Sequence, residues 1–152
     1  LLLTANTSYS IRFAMEELPV TGVKTAGVKG IQLKDGEYLA AANILKPGAE
    51  QDLVIVTQRG AVKRMNVSEI ELGNRAKRGV VTLKELKANP HRVFAIVVVK
   101  VSDTIVLETE KGVQEEIKIV NLSRADRYSN GSLRVDTVGD GALVRVAVLK
   151  QQ

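Results

Sequence analysis

Apolar residues in this chain come in short runs, not at helical spacing. Leu53-Val54-Ile55-Val56-Thr57 is unbroken and rich in β-branched side chains, the pattern of a strand covered on both faces. Gln58-Arg59-Gly60 predicts a turn, with Gly60 free to take positive φ. Ala61 to Met65 then runs back as the partner strand. A short link over 66–70 and a polar, glycine-bearing loop from Gly73 to Gly79 lead to a third strand, Val80-Val81-Thr82-Leu83. Pro90 closes the next turn, and Val93 to Val99, apolar at every position, predicts a fourth.

The same order recurs along the chain. Thr57-Gln58-Arg59-Gly60-Ala61-Val62 aligns with Thr109-Glu110-Lys111-Gly112-Val113-Gln114 at an offset of 52. That offset also pairs Ile70 with Leu122, Gly79 with Gly131, and Phe94-Ala95-Ile96 with Val146-Ala147-Val148. Upstream it pairs Phe13 with Met65, Glu17 with Glu69 and Gly27 with Gly79. Three copies tile residues 1–152, at about 1–50, 51–102 and 103–152. The expected fold class is therefore all-β: propeller-like blades of four antiparallel strands, about three of them. Such blades bury their faces only by stacking, which is why Val93–Val99 can be apolar throughout. Three blades do not close a ring, so further blades are expected at one end or both, and Leu1-Leu2-Leu3 reads as a strand already under way.

Charge separates the copies. The net charge is +5, with 22 basic and 17 acidic residues. The first copy is neutral, the third carries −1 and the middle one +6, from ten basic and four acidic residues. Arg59, Lys63 and Arg64 lie on one predicted hairpin, and Arg75, Lys77 and Arg78 lie in the loop entering the third strand. These six cations fall within twenty residues and are interrupted only by Glu69 and Glu71. A rim of this kind suits a phosphate backbone, which guanidinium forks and ammonium groups engage without reading bases. With aromatics at 3% and no recognition helix in the pattern, duplex DNA held by its backbone fits better than a stacked single strand.

Other chemistries find little support. There is no cysteine, hence no disulfide or thiolate metal site, and no apolar run approaches membrane-spanning length. The one histidine, His91, stands without a Ser-His-Asp set, the carboxylates are scattered, and no phosphate-loop pattern occurs. We expect no active site, metal or cofactor in this chain and no membrane partner.

Thr57-Gln58-Arg59-Gly60-Ala61-Val62-Lys63-Arg64-Met65, then Glu71-Leu72-Gly73-Asn74-Arg75-Ala76-Lys77-Arg78-Gly79-Val80, resemble the C-terminal domain of the A-type subunit of bacterial topoisomerase IV, in its Gram-positive form. Leu83-Lys84-Glu85-Leu86-Lys87 and Asn89-Pro90-His91-Arg92-Val93 continue the likeness, and Gly22-Val23-Lys24-Thr25-Ala26-Gly27-Val28-Lys29-Gly30 resembles the matching loop one blade earlier. The related gyrase domain carries a Q-R-R-G-G-K-G box; here Asn74-Arg75-Ala76-Lys77-Arg78-Gly79 occupies the comparable loop without paired glycines. The resemblance implies a β-pinwheel whose blades exchange strands. It also implies a non-catalytic role in gripping and bending duplex DNA, so as to guide substrate choice in decatenation and supercoil relaxation. ATP, Mg and strand cleavage would belong to other regions. The implied partners are the rest of the A-type subunit and, through it, the B-type subunit, in the bacterial cytoplasm at the nucleoid. The candidate DNA-contacting residues are Arg59, Lys63, Arg64, Arg75, Lys77, Arg78 and Lys84, with Lys24 and Lys29 in the preceding loop. The competing readings are a gyrase-type domain and a protein-interaction propeller.

Overall fold

A computed structural model describes residues 1–20 and 26–150. Twelve strands are present among them: β1 (Leu2–Ala5), β2 (Tyr9–Phe13), β3 (Leu39–Asn43), β4 (Asp52–Thr57), β5 (Ala61–Asn66), β6 (Leu72–Gly73), β7 (Val80–Val81), β8 (Val93–Val99), β9 (Thr104–Thr109), β10 (Gln114–Lys118), β11 (Ser132–Leu133) and β12 (Leu143–Leu149). Single 3-10 turns, Met15–Glu17, Val67–Glu69 and Ile119–Asn121, closely follow the second strand of each sheet.

The strands form three sheets. The first is ordered β3-β1-β2, with β6 and β7 both added to the outer side of β2. The second is β8-β4-β5-β11, and the third is β12-β9-β10. Strands β3, β8 and β12 pack beside one another, so they form the hub, and the opposite edges of the sheets face outward. The all-β, propeller-like architecture agrees with the sequence pattern.

One assignment changes. The sequence pattern places Val80–Leu83 in its own copy's sheet. Instead Val80 and Val81 pair antiparallel with Ser10 and Tyr9 of the preceding sheet, and Leu72 pairs in parallel with Arg12. Ser132 and Leu133 likewise join Val62 and Ala61 of the second sheet. Each outer strand is thus lent backward to its neighbour. The physical reason is that the outer strand of each hairpin leaves a row of backbone donors and acceptors unpaired, and the next segment of chain crosses over to satisfy them. A run of apolar residues shows that a strand forms, not which edge it joins.

The unbroken apolar run of β4 is explained by two cores. Leu53 and Ile55 face the core between the first and second sheets, with Leu2, Met65, Ile70 and Leu83. Val54 and Val56 face the core between the second and third, with Ile105, Leu107 and Ile119. All four are fully buried, and each contributes about 1.5–3 kcal/mol by leaving water.

Candidate nucleic-acid interface

The loop from Gly73 to Gly79 sits on the outer edge of the first sheet, between β6 and β7. Residues of the first copy hold it there. The Arg75 backbone N–H donates to Glu17 Oε1 at 3.2 Å, its Nε to the Glu17 carbonyl at 3.3 Å and its Nη1 to the Lys29 carbonyl at 2.9 Å. The Ala76 N–H donates to the Gly30 carbonyl at 2.6 Å, the Gln32 N–H donates to the Lys77 carbonyl at 2.8 Å, and Ile31 bridges Lys77 in parallel. The segment 29–32 therefore runs alongside 75–77.

Arg78 closes the other flank of the loop. Its guanidinium lies over the Tyr9 ring, 3.7 Å from the centroid, and both Nη atoms donate to the Glu37 carboxylate. Glu37 also accepts from the Thr7 hydroxyl and from the Lys34 N–H at 2.7 Å. Hydrogen bonding from Arg78 outweighs burial and lowers the Glu37 pKa to about 2.

The hairpin cations are placed differently from the sequence expectation. Lys63 is only 1% exposed, and its ammonium donates to the carbonyls of Thr82, Arg127 and Ser129, which belong to two crossing loops. Burial lowers its pKa to about 8. Arg64 is 9% exposed; its Nε meets Asp52 at 2.6 Å, and its Nη1 donates to the carbonyls of Ile119 at 3.2 Å and Leu122 at 3.0 Å. Neither residue reaches the outer rim that the sequence pattern implied. Both satisfy carbonyls at sheet junctions that would otherwise be orphaned, a demand that outranks solvation once the site is closed.

Arg59 is half-buried. Its Nη1 donates to the Asn89 carbonyl at 2.9 Å and approaches His91 Nε2 at 3.4 Å. Because that nitrogen faces a guanidinium donor, the His91 proton belongs on Nδ1, which lies 2.9 Å from Thr57 Oγ1. Burial, reinforced by Arg59, lowers the His91 pKa.

Of the nine expected contacts, Lys29, Lys77 and Lys84 are exposed, and no ion pair engages them among the described residues. Lys29 and Lys77 come from adjoining segments, and Lys84 follows Leu83, whose N–H donates to Ser8 Oγ at 3.1 Å. Arg75 and Arg78 are half-buried and bonded within the fold. Lys24 lies outside the described residues.

Sequence reasoning missed the junction partners. Glu69 accepts from the Arg127 N–H at 3.1 Å, just as Glu17 accepts from that of Arg75. Arg12 donates to the Val67 carbonyl at 3.3 Å, just as Arg64 donates to that of Ile119. Every one of these pairs of equivalent residues is spaced by 52, so the repeat register carried the signal.

Comparison with known proteins follows the same line. Residues 1–46 and 51–100 match the family model "DNA gyrase C-terminal domain, beta-propeller". The A-type subunit of DNA topoisomerase 4 from Bacillus subtilis (strain 168) is 42% identical over 96% of this chain, and that from Streptococcus pyogenes serotype M1 is 38% identical over 92%. The chain spans only 18% and 19% of their lengths. A crystal structure of the C-terminal domain of DNA topoisomerase IV superposes with a TM-score of 0.92 at 44% identity, covering 98% of this chain and 46% of that one. A structure of the DNA gyrase A C-terminal domain shares the fold at a TM-score of 0.78 and 20% identity, covering 98% of this chain and 48% of that one. With its family match and its 42% identity to a topoisomerase 4 relative, the chain belongs to the family of C-terminal domains carried by the A-type subunits of DNA gyrase and topoisomerase IV.

Proposed function

We propose that this chain is a non-catalytic module, within the A-type subunit of a type II topoisomerase, that grips duplex DNA by its backbone and bends it. In this reading it steers which DNA segment is presented for decatenation and supercoil relaxation. Strand cleavage, ATP and Mg belong to other regions and to the B-type subunit, and the assembly works in the bacterial cytoplasm at the nucleoid. The topoisomerase IV form is favoured over the gyrase form by 44% against 20% identity to the respective domain structures.

The observation that carries the proposal is the junction of the first two sheets. There two crossing segments are zipped together by backbone hydrogen bonds, and each presents an exposed lysine, Lys29 and Lys77. Lys84 adds a third exposed cation beyond β7. Ammonium groups spaced along an outer edge neutralise phosphates and release counterions, which gives affinity without sequence preference. The proposed contact set is therefore Lys29, Lys77 and Lys84, with Lys24 and Arg59 as further candidates.

A salt titration of binding to a random-sequence duplex is the test. Three neutralised phosphates give a slope of log K against log salt of about −2.7, roughly a fortyfold loss between about 50 and 200 mM. Charge reversal at Lys29, Lys77 and Lys84 should flatten that slope and weaken every sequence alike. Salt-independent binding, or an unchanged slope in the triple variant, rejects the reading in favour of a protein-interaction surface.

A further inference from the structure

Arg78 has the chemistry of a phosphate ligand and the surroundings of something else. Its side chain is 24% exposed, while that of its partner Glu37 is only 5% exposed. The Glu37 carboxylate is anchored from three directions, by Arg78, by the Thr7 hydroxyl and by the Lys34 N–H. Turning Arg78 outward to a phosphate would strip that carboxylate of its counter-charge and leave it only the Thr7 hydroxyl and the Lys34 N–H as partners. The guanidinium face is also occupied, by the Tyr9 ring.

Arg75, three residues earlier, is held as firmly through Glu17 and the Lys29 carbonyl. Between these two fixed points stands Lys77, exposed, with its carbonyl bonded to Gln32 N–H. The next junction supplies a contrast. The residue equivalent to Arg78 there is Asn130, and because β8 pairs with β4 two residues further along than β3 does with β1, the one equivalent to Glu37 is His91. These two form no ion pair, and Ser129 and Val81, the equivalents of Lys77 and Lys29, carry no charge. The ion pair and the lysines at these two positions occur together at one junction and are absent together at the other.

We propose that Arg78 and Glu37 are a positioning pair. They do not touch DNA; they hold the loop so that Lys77 is presented to the phosphate backbone. This rests on the proposed function and deepens it by naming which cation makes the contact and which one aims it.

The test uses the sign of a charge change. Glu37→Gln removes a negative charge, so a surface acting only through its net charge would bind DNA more tightly, and so would an Arg78 released to become a ligand. Positioning requires the reverse. The full 152-residue chain should be measured by fluorescence anisotropy on a labelled random-sequence duplex at fixed low salt, with a thermal melt for each variant. Glu37→Gln should weaken binding roughly fivefold, and Arg78→Lys, which keeps the charge but loses the two-pronged contact, should do the same. In a Lys77→Ala background neither change should weaken binding further. Tighter or unaltered binding by both variants overturns the proposal, as does a loss that multiplies with that of Lys77→Ala. Should the wild-type chain fail to bind duplex at all, the proposed function falls first and this assignment with it.

Discussion

Replacing Gly79 by alanine tests the strand exchange directly. Gly79 has φ +85°, and a Cβ built on it would lie 2.1 Å from the Ser10 carbonyl oxygen and 2.6 Å from its carbon. Both atoms belong to the backbone of β2, so no flexible side chain can yield. Two costs follow. The left-handed conformation costs a non-glycine residue about 1–2 kcal/mol. The clash also pushes the start of β7 away from β2, weakening the Ser10–Val80 pairing and the bond from Thr82 N–H to the Ser8 carbonyl, at about 0.5–1.5 kcal/mol for each hydrogen bond. The sum is about 3 kcal/mol, or roughly 6–12 °C in Tm for a chain of this size. Gly112 is the matched control. Its φ is +81°, yet nothing lies within 4 Å of its virtual Cβ, so Gly112→Ala carries only the conformational cost of about 1–2 kcal/mol. Urea and thermal melts of the two variants separate the terms. If Gly79→Ala melts level with Gly112→Ala, the close approach of the loop to β2 is refuted.

Two further outcomes follow from the ion pairs. Asp52→Ala strands the buried Arg64 guanidinium and should cost about 3–5 kcal/mol in urea unfolding, whereas Arg124→Ala, which leaves the Asp52–Arg64 pair whole, should change little. Glu37 has its pKa lowered from 4.5 to about 2, so the folded chain binds this proton less readily than the unfolded one. Its stabilising contribution is therefore complete above 4.5 and is lost as the pH falls toward about 2; urea midpoints between these limits should fall less steeply in Glu37→Gln than in the wild type.

The strands and their burial were legible because they depend on local pattern. β4 is apolar at consecutive positions because its two faces enter different cores. The exchange of β7 and β11 was not legible in the apolar pattern, since pairing partners depend on which edge lies open nearby; it came only as what the family resemblance implied. The direction of the cations was half legible. Where a cation and its partner both recur at the 52-residue offset, as for Arg75 and Arg127 with Glu17 and Glu69, or Arg12 and Arg64 with Val67 and Ile119, the interaction belongs to the repeated frame. Lys77 has Ser129 at that offset and Lys29 has Val81, so the frame does not require their charge. Lys63 limits the rule: its counterparts are Ile11 and Glu115, yet it is buried. The reason is local. At the first junction the Gly30 carbonyl is satisfied by the Ala76 N–H at 2.6 Å; at the second, the equivalent Thr82 carbonyl is satisfied by the Lys63 ammonium at 2.6 Å. One orphaned acceptor turned a cation inward, and only geometry distinguishes that cation from those left facing out.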